Sequence, residues 1–556
     1  MPRVARSTAA PGSRLPRLAA LTLLGLLVAA CAGTALGPQQ SPGGTPGETG
    51  PGSSPSITPA LAATTAPASS PAPPGRPTPG VSSAPGASPG VRPSPAAGEL
   101  AWTDCGGGFE CATLDVPLDY DAPTGTAISL SLIRLPAIDP AERLGTLVTN
   151  PGGPGASGVD FVRQAATTVF SEALRTRFDI LGFDPRGVGA SAPVACVGPR
   201  ELDRLIALDP TPDTAAERSA LIDGTRSFVA ACQANSAALL PHVGTRDAAR
   251  DLDRIRAAVG DPALSYLGFS YGTFLGATYA DLFPGRVRAL VLDGAVDPTL
   301  PFEERNAQQA MSFAAAFGRF LDNCASRPAC SFYSKGNPAA AYDALMARID
   351  RAPLHAALTG DSRSVGPGEA FTAVAAALYD QSGWSILAQA LAMAERGDGS
   401  VLLLLADSYN ERRPDGTYAN ILAANNAVTC LDYASPADVA AYQALALRLE
   451  KLAPRFGEAV AWSGLTCALW PVHPAGDPVA PRASGASPIL VIGSTGDPAT
   501  PYAWAVKLAG ELESGVLLTR RGEGHTAYGG KSACIDEAVD AYLITLLVPA
   551  AGTVCN

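Results

Sequence analysis

The chain predicts an α/β fold, a mostly parallel sheet whose late strands are separated by a large helical insert. Three observations carry this. Short, almost wholly apolar runs recur at Leu144–Thr149, Phe178–Phe183 and Val287–Leu292, each followed by a loop rich in Gly, Pro or Asp; such runs read as strands buried on both faces of a parallel sheet. The stretch Ser265–Ala280 contains Gly268-Phe269-Ser270-Tyr271-Gly272, a G-x-S-x-G turn between the apolar run Ala263–Leu267 and a helix of small residues. From about Pro301 to Trp470 the pattern changes to consecutive Ala-rich amphipathic helices with little strand signal, before strand character returns at Pro488–Gly493.

The N-terminus reads as an export signal over residues 1–30. Arg3, Arg6, Arg14 and Arg17 form a basic region, and Leu18–Ala30 is an apolar segment too short for a comfortable membrane span. It ends Val28-Ala29-Ala30-Cys31, which resembles a bacterial lipobox, so Cys31 is the expected lipidation site; a plain signal peptide with an incidental cysteine is the alternative. Residues 31–99 are Pro, Gly, Ser, Thr and Ala with almost no large apolar side chain, and are expected to be a disordered tether.

Order is expected from Leu100. Residues 100–300 read as the first part of the core: an opening strand pair at Cys111–Tyr120 and Thr126–Leu135, then the strand Leu144–Thr149 entering the loop Asn150-Pro151-Gly152-Gly153-Pro154-Gly155. Glycines and prolines just past a strand end fix an irregular loop whose N–H groups can converge on one point, which favours an oxyanion-binding role over a plain turn. Phe178–Phe183 runs into Asp184-Pro185-Arg186-Gly187, where an Asp184–Arg186 ion pair is expected to brace the loop. A helical region at about Ala215–Leu240 and the helix ending at Gly260 lead to the Ser270 turn. Helix, strand, turn, helix, strand is the local order of an α/β-hydrolase core. The insert, residues 301–475, is placed between late strands and so over the carboxyl ends of the sheet, as a cap. Residues 476–556 complete the core with strands at Pro488–Gly493 and Gly515–Thr519 and a last helix at about Ile535–Leu547.

Serine is a weak nucleophile until a base takes its proton, and the base needs an orienting carboxylate. Of four histidines, His242, His355, His473 and His525, only His525 follows the last strand, in Gly522-Glu523-Gly524-His525-Thr526. The expected order is Ser, acid, His, so His525 is the predicted base. Asp497 follows the strand before it in G-S-T-G-D-P-A-T-P and is the preferred acid over Asp293 and Asp297, one strand earlier.

Net charge is −11, which gives nucleic acid no basic footprint. Leaving Cys31 aside, ten of eleven cysteines remain, an even number that suits a disulfide framework; pairing of neighbours would give Cys105–Cys111, Cys196–Cys232, Cys324–Cys330, Cys430–Cys467 and Cys534–Cys555. No C-x-x-C or Cys/His cluster points to a metal, and no cofactor is implied.

Together, Asn150–Gly155, G-F-D-P-R-G-V-G-A-S over Gly182–Ser191, G-F-S-Y-G, L-D-G-A-V-D-P and G-D-P-A-T-P resemble the secreted tripeptidyl aminopeptidases, α/β-hydrolase serine peptidases similar to the prolyl aminopeptidases, over about residues 100–556. The resemblance implies Ser270 as nucleophile, Asp497 as acid, His525 as base, and the N–H groups of Tyr271 and Gly153 as oxyanion donors. Prolyl aminopeptidases usually begin the oxyanion loop with His; here it is Asn150, which points to the tripeptidyl branch. Cleavage from a free N-terminus needs an acidic partner for the ammonium, and Glu303 and Glu304, where the cap begins, are the candidates; an acidic first turn stabilising its own helix is the other reading.

The leading expectation is therefore an exported, lipid-anchored serine exopeptidase acting on peptides or proteins. A carboxylesterase or lipase on the same three residues is the second reading, because these scaffolds host both chemistries. A binding protein on a degenerate hydrolase fold is the third, and the intact Ser, Asp and His argue against it.

Overall fold

The computed structural model describes residues 100–556 except Asp361, Ala475 and Asp477; the predicted export signal, Cys31 and the Pro/Gly/Ser segment lie outside the described residues. Seven strands come first: β1 (Thr103–Asp104), β2 (Glu110–Pro117), β3 (Ala127–Leu135), β4 (Gly145–Asn150), β5 (Phe178–Phe183), β6 (Leu264–Phe269) and β7 (Val287–Asp293). A two-stranded pair, β8 (Leu354–His355) and β9 (Ser364–Val365), lies within the insert, and β10 (Ile489–Gly496), β11 (Gly515–Glu523) and β12 (Val554–Cys555) follow it.

One sheet runs in the order β1-β2-β3-β5-β4-β6-β7-β10-β11-β12. The β1–β2, β2–β3 and β3–β5 pairs are antiparallel, and every pairing from β5 to β12 is parallel. β4, β5 and β6 are buried along their whole length, which is why they read as largely apolar runs. Helices cover both faces. One face packs Ala248, Leu252, Ile255 and Tyr279 against Val148, Leu181 and Tyr266, and the other packs Phe161, Phe170 and Tyr542 against Leu147, Ile180 and Val291. A mostly parallel sheet with this order, helices on both faces and a helical insert before the last strands is an α/β-hydrolase core.

Two strands run further than their apolar pattern. β10 continues to Gly496 and β11 to Glu523, because the ladder between them extends into polar residues, with Gly496 opposite Glu523 across an irregularity. The residues so carried forward are those that approach Asp497 and His525.

The insert between β7 and β10 is helical apart from β8 and β9. It opens with the helix Phe302–Ala325 and closes with Leu465–Leu469. Its own core forms around Phe313, Phe317, Phe320, Tyr342, Trp384 and Leu402, with a second cluster around Phe302, Tyr442 and Trp462. Among the described residues no helix is long and apolar enough to cross a membrane.

Ten cysteines form five disulfides, each between sequence neighbours: Cys105–Cys111, Cys196–Cys232, Cys324–Cys330, Cys430–Cys467 and Cys534–Cys555. The expected Asp184–Arg186 pair does not form. The fully buried Arg186 instead makes a two-pronged bond to Asp251, at 2.7 Å on each side. Asp184 accepts hydrogen bonds from Ser157, Val159 and Ala190. Both side chains still position backbone, but Arg186 reaches across to the helix Thr245–Ala258 rather than to its own loop.

Candidate active site

Ser270 stands between β6 and the helix Tyr271–Leu282 with φ 54° and ψ −123°, a backbone conformation unfavourable for a residue with a side chain. The turn is possible because its two glycines admit backbone at close range. A Cβ on Gly268 would lie 2.4 Å from the Gly272 carbonyl oxygen, and one on Gly272 would lie 2.7 Å from that of Asn150. Strain of this kind persists where the surroundings over-determine it. Here the Ser270 N–H donates to the Asp293 carbonyl at 2.9 Å, and Tyr266 Oη donates to the Gly272 carbonyl at 2.8 Å.

The loop Asn150–Gly155 meets this turn from the other side. Gly152, at φ +101°, approaches so closely that a Cβ there would lie 2.9 Å from Ser270 Cβ and 3.1 Å from the Tyr271 nitrogen. Asn150 Oδ1 accepts the Gly152 N–H at 2.9 Å and so shapes the turn. The segment that carries Gly153 is thereby seated against the N-terminus of the helix that begins at Tyr271, where the helix dipole favours negative charge.

His525 and Asp497 meet directly. His525 Nδ1 lies 2.9 Å from Asp497 Oδ2 and 3.0 Å from Oδ1. A carboxylate only accepts, so Nδ1 carries the proton and Nε2 presents its lone pair. Nε2 is buried and has no hydrogen-bond partner. Asp497 is 2% exposed and also accepts the N–H groups of Ala499 and Thr500, the Thr500 hydroxyl and the Thr526 N–H. Thr500 Oγ1 lies 3.2 Å from His525 Nδ1 as well, so it touches both partners. The D-P-A-T sequence places it there, three residues past Asp497.

Asp293 and Asp297 do other work. The Asp293 side chain accepts the N–H groups of Ala527 and Tyr528 at 2.8–3.0 Å, which fixes the loop just after His525. Burial pushes its carboxyl above the usual range. Gly294, next in sequence, lies against the His525 ring, where a Cβ would come within 3.0 Å of Cε1. The Asp293–Gly294 unit therefore touches the Ser270 turn through its backbone and the His525 loop through its side chain. Asp297 bonds Thr299 within its own loop.

The insert grips both the Asp497 loop and the His525 loop. Ser312 donates to the Asp497 carbonyl at 2.6 Å, Gln309 to the Ala499 carbonyl at 2.8 Å, and Arg319 pairs with Glu523 at 2.7 Å. The Tyr379 carbonyl accepts the His525 N–H at 2.7 Å. None of these groups stands out in sequence: Gln309, Ser312 and Arg319 are common polar residues within the helix Phe302–Ala325, and Tyr379 acts through its backbone carbonyl just past the helix Pro367–Leu378.

Glu303 and Glu304 lie in the exposed first turn of the helix Phe302–Ala325. Glu303 pairs with Arg448 at 2.9 Å, both side chains about half exposed, and Glu304 accepts from Gln308. They border a surface hollow with Ser435 and Arg448. His242, His355 and His473 lie outside the Asp497–His525 cluster. The one group of carboxylates close enough to share a metal ion among the described residues is Asp209, Glu217 and Asp350. Two of these already accept local bonds, Asp209 from Thr211 and Glu217 from the Thr214 N–H.

Residues 453–555 match the model of the TAP-like protein family. The chain is 39% identical over 483 residues to serine protease Hip1 of Mycobacterium tuberculosis, covering 82% of this chain and 91% of that protein. It is 34% identical over 469 residues to tripeptidyl aminopeptidase of Streptomyces lividans, covering 82% of this chain and 86% of that one. Carboxylesterase B of Mycobacterium tuberculosis is 36% identical over 453 residues, 80% of this chain and 86% of that protein.

Proposed function

The chain belongs to the TAP-like α/β-hydrolase family, with tripeptidyl aminopeptidase and serine protease Hip1 among its members, and we propose that it is a serine exopeptidase. It releases short peptides, tripeptides first, from free N-termini through an acyl-enzyme on Ser270. The observation that supports this is the Asp497–His525 bond, which leaves His525 Nε2 buried and free to accept a proton, while Asp293–Gly294 contacts both the Ser270 turn and the His525 ring.

In the first step Ser270 Oγ attacks the scissile carbonyl and its proton passes to His525 Nε2. The negative charge that develops on the carbonyl oxygen falls to the N–H groups of Tyr271 and Gly153. Preorganised donors of this kind usually contribute more to such catalysis than any other single effect. The imidazolium, held by Asp497, returns the proton to the leaving amine. Water, activated by the same nitrogen, then hydrolyses the acyl-enzyme.

The cap, gripping the acid and base loops from one side, restricts how much chain can pass the scissile bond. Glu303 and Glu304 are the proposed acidic contacts of the substrate ammonium. Both are exposed, and an exposed pair is worth about 1 kcal/mol or less, so acetylating the N-terminus should lower kcat/KM by about fivefold. An exported, lipid-anchored location through Cys31 is part of the same proposal, supported by the basic and apolar N-terminal pattern.

The similarity to carboxylesterase B favours an ester as the second reading. The test compares a tripeptide amide with free and acetylated N-termini beside a simple acyl ester, each with the Ser270→Ala protein as control. Equal rates on the two peptides would overturn the aminopeptidase reading, and a strong preference for the ester would establish the second.

A further inference from the structure

The insert helix Ile421–Asp432 touches both sides of the oxyanion hole. At its start, Asn425 Nδ2 donates to the Pro154 carbonyl at 3.0 Å. The contact is close, since a Cβ on Gly155 would lie 2.7 Å from the Ile421 oxygen and 2.9 Å from the Asn425 nitrogen. At its end, Asp432 accepts the Thr245 N–H at 2.8 Å and lies 2.5 Å from the Thr245 hydroxyl. That hydroxyl is in turn 2.5 Å from Tyr271 Oη. Asn425 and Asp432 are seven residues apart, two helical turns, and so share one face about 10 Å long. The disulfide Cys430–Cys467 ties this helix to the segment Leu465–Leu469.

We propose that Asn425 and Asp432 are positioning residues that set the two sides of the oxyanion hole from the cap, one through Pro154 and the other through Thr245 and Tyr271. The inference rests on Ser270 being the nucleophile. Proton accounting makes the chain of bonds directional. With Asp432 ionised, the Thr245 hydroxyl donates to it and the Tyr271 hydroxyl donates to Thr245. Every hydroxyl then has one use, and the residue whose N–H faces the oxyanion is anchored at the far end of its side chain. The Tyr271 ring is buried, edge-on to Phe274, which leans on Tyr433 just past Asp432. Arg305 and Asp247 are the charged groups that face Asp432 from neighbouring helices. Cap seating and oxyanion stabilisation are thus one mechanical unit.

Deleting an oxyanion donor lowers kcat by about 10²–10³, and letting one drift should cost less, about tenfold. The test uses the full chain and two readouts, kcat and KM on an acyl ester and the rate at which a fluorophosphonate labels Ser270. Asn425→Ala, Thr245→Val and Asp432→Asn should each slow turnover and labelling about tenfold with KM within about twofold. Thr245→Ser, which keeps the hydroxyl, should restore the rate. Should Thr245→Val fail to fold, Asn425→Ala and Tyr271→Phe carry the test, as each removes a single bond. Folded variants that label at the wild-type rate would overturn the proposal, even if their Tm is lowered. A wild-type protein that is not labelled at all would overturn the Ser270 assignment and this inference with it.

Discussion

The ring of Tyr379 stands edge-on to the imidazole of His525, with centroids 5.3 Å apart and planes at 89°, while its carbonyl holds the His525 N–H. A cap residue therefore fixes both the backbone and the ring of the proposed base. Removing the ring with Tyr379→Ala should let the imidazole rotate away from Asp497 and lower kcat about tenfold. Tyr379→Phe keeps the ring and should stay within about twofold. Steady-state kinetics on one substrate separate the two, and an unaffected Ala variant would mean that the ring contact is passive.

Ser270→Ala should abolish turnover, by roughly 10⁴- to 10⁶-fold in kcat. Alanine keeps the Cβ of serine and only the hydroxyl is lost, so the strain of the turn is unchanged and the fold should stay intact. More than about a tenth of the activity surviving, with the same circular dichroism, would remove Ser270 from the mechanism.

Asp497 and Asp293 should separate by kind of damage. Asp497→Asn reverses the hydrogen-bonding sense toward His525 Nδ1 and should lower kcat about 10⁴-fold, as such replacements do in serine hydrolases. It should also lower Tm, because the Ala499, Thr500 and Thr526 N–H groups converge on the same oxygens, but the loss of kcat is the chief effect. Asp293→Asn places a donor where the Ala527 and Tyr528 N–H groups converge on carboxylate oxygens, so the chief loss should be in stability. Measuring kcat and Tm for both is decisive; a catalytically dead but fully stable Asp293→Asn would exchange the roles.

Burial pushes the Asp432 carboxyl up to about 7, against the pull of Thr245 and Arg305. An unfolded chain releases that proton near roughly 3.9. Between these values the folded state holds a proton that the unfolded state has lost, so stability from this group is complete below about pH 4 and is lost as pH rises through about 7. The Tm difference between wild type and Asp432→Asn should move against the wild type over that range and level off above it. A difference that is flat with pH, or moves the other way, would show that Asp432 titrates elsewhere.

Strands buried on both faces are the most legible part of the fold. Phe178–Phe183 coincides with β5 residue for residue, since helices on each side favour apolar side chains there, and its one charged residue, Asp179, is paired with Arg134 and Arg143. The ends of β10 and β11 are not legible, because Ser494, Arg520 and Glu523 owe their strand geometry to each other rather than to local pattern. The helix Pro199–Ile206 is silent in the sequence for a similar reason, as it buries a single leucine, Leu202. Within the site, the turn at Ser270 and the Asp-Pro and Gly-His loops announce themselves through glycine and proline chemistry. The groups that brace them do not. Asp432 meets Thr245 across 187 residues of chain, and nothing in an Ala-rich helix marks which polar residue will find such a partner.

The five disulfides are side by side in sequence, none enclosing or crossing another. Along the described chain, read from its N-terminal side, every cysteine is either already closed or waiting for the very next one to appear. The correct partner is in each case the next cysteine to arrive, so the order of synthesis is itself a set of instructions for pairing. None of the five joins the insert to the rest of the chain, and the grip of the insert on Asp497, His525 and the Asn150–Gly155 loop is left to hydrogen bonds and packing, which can open and close again where a covalent staple could not.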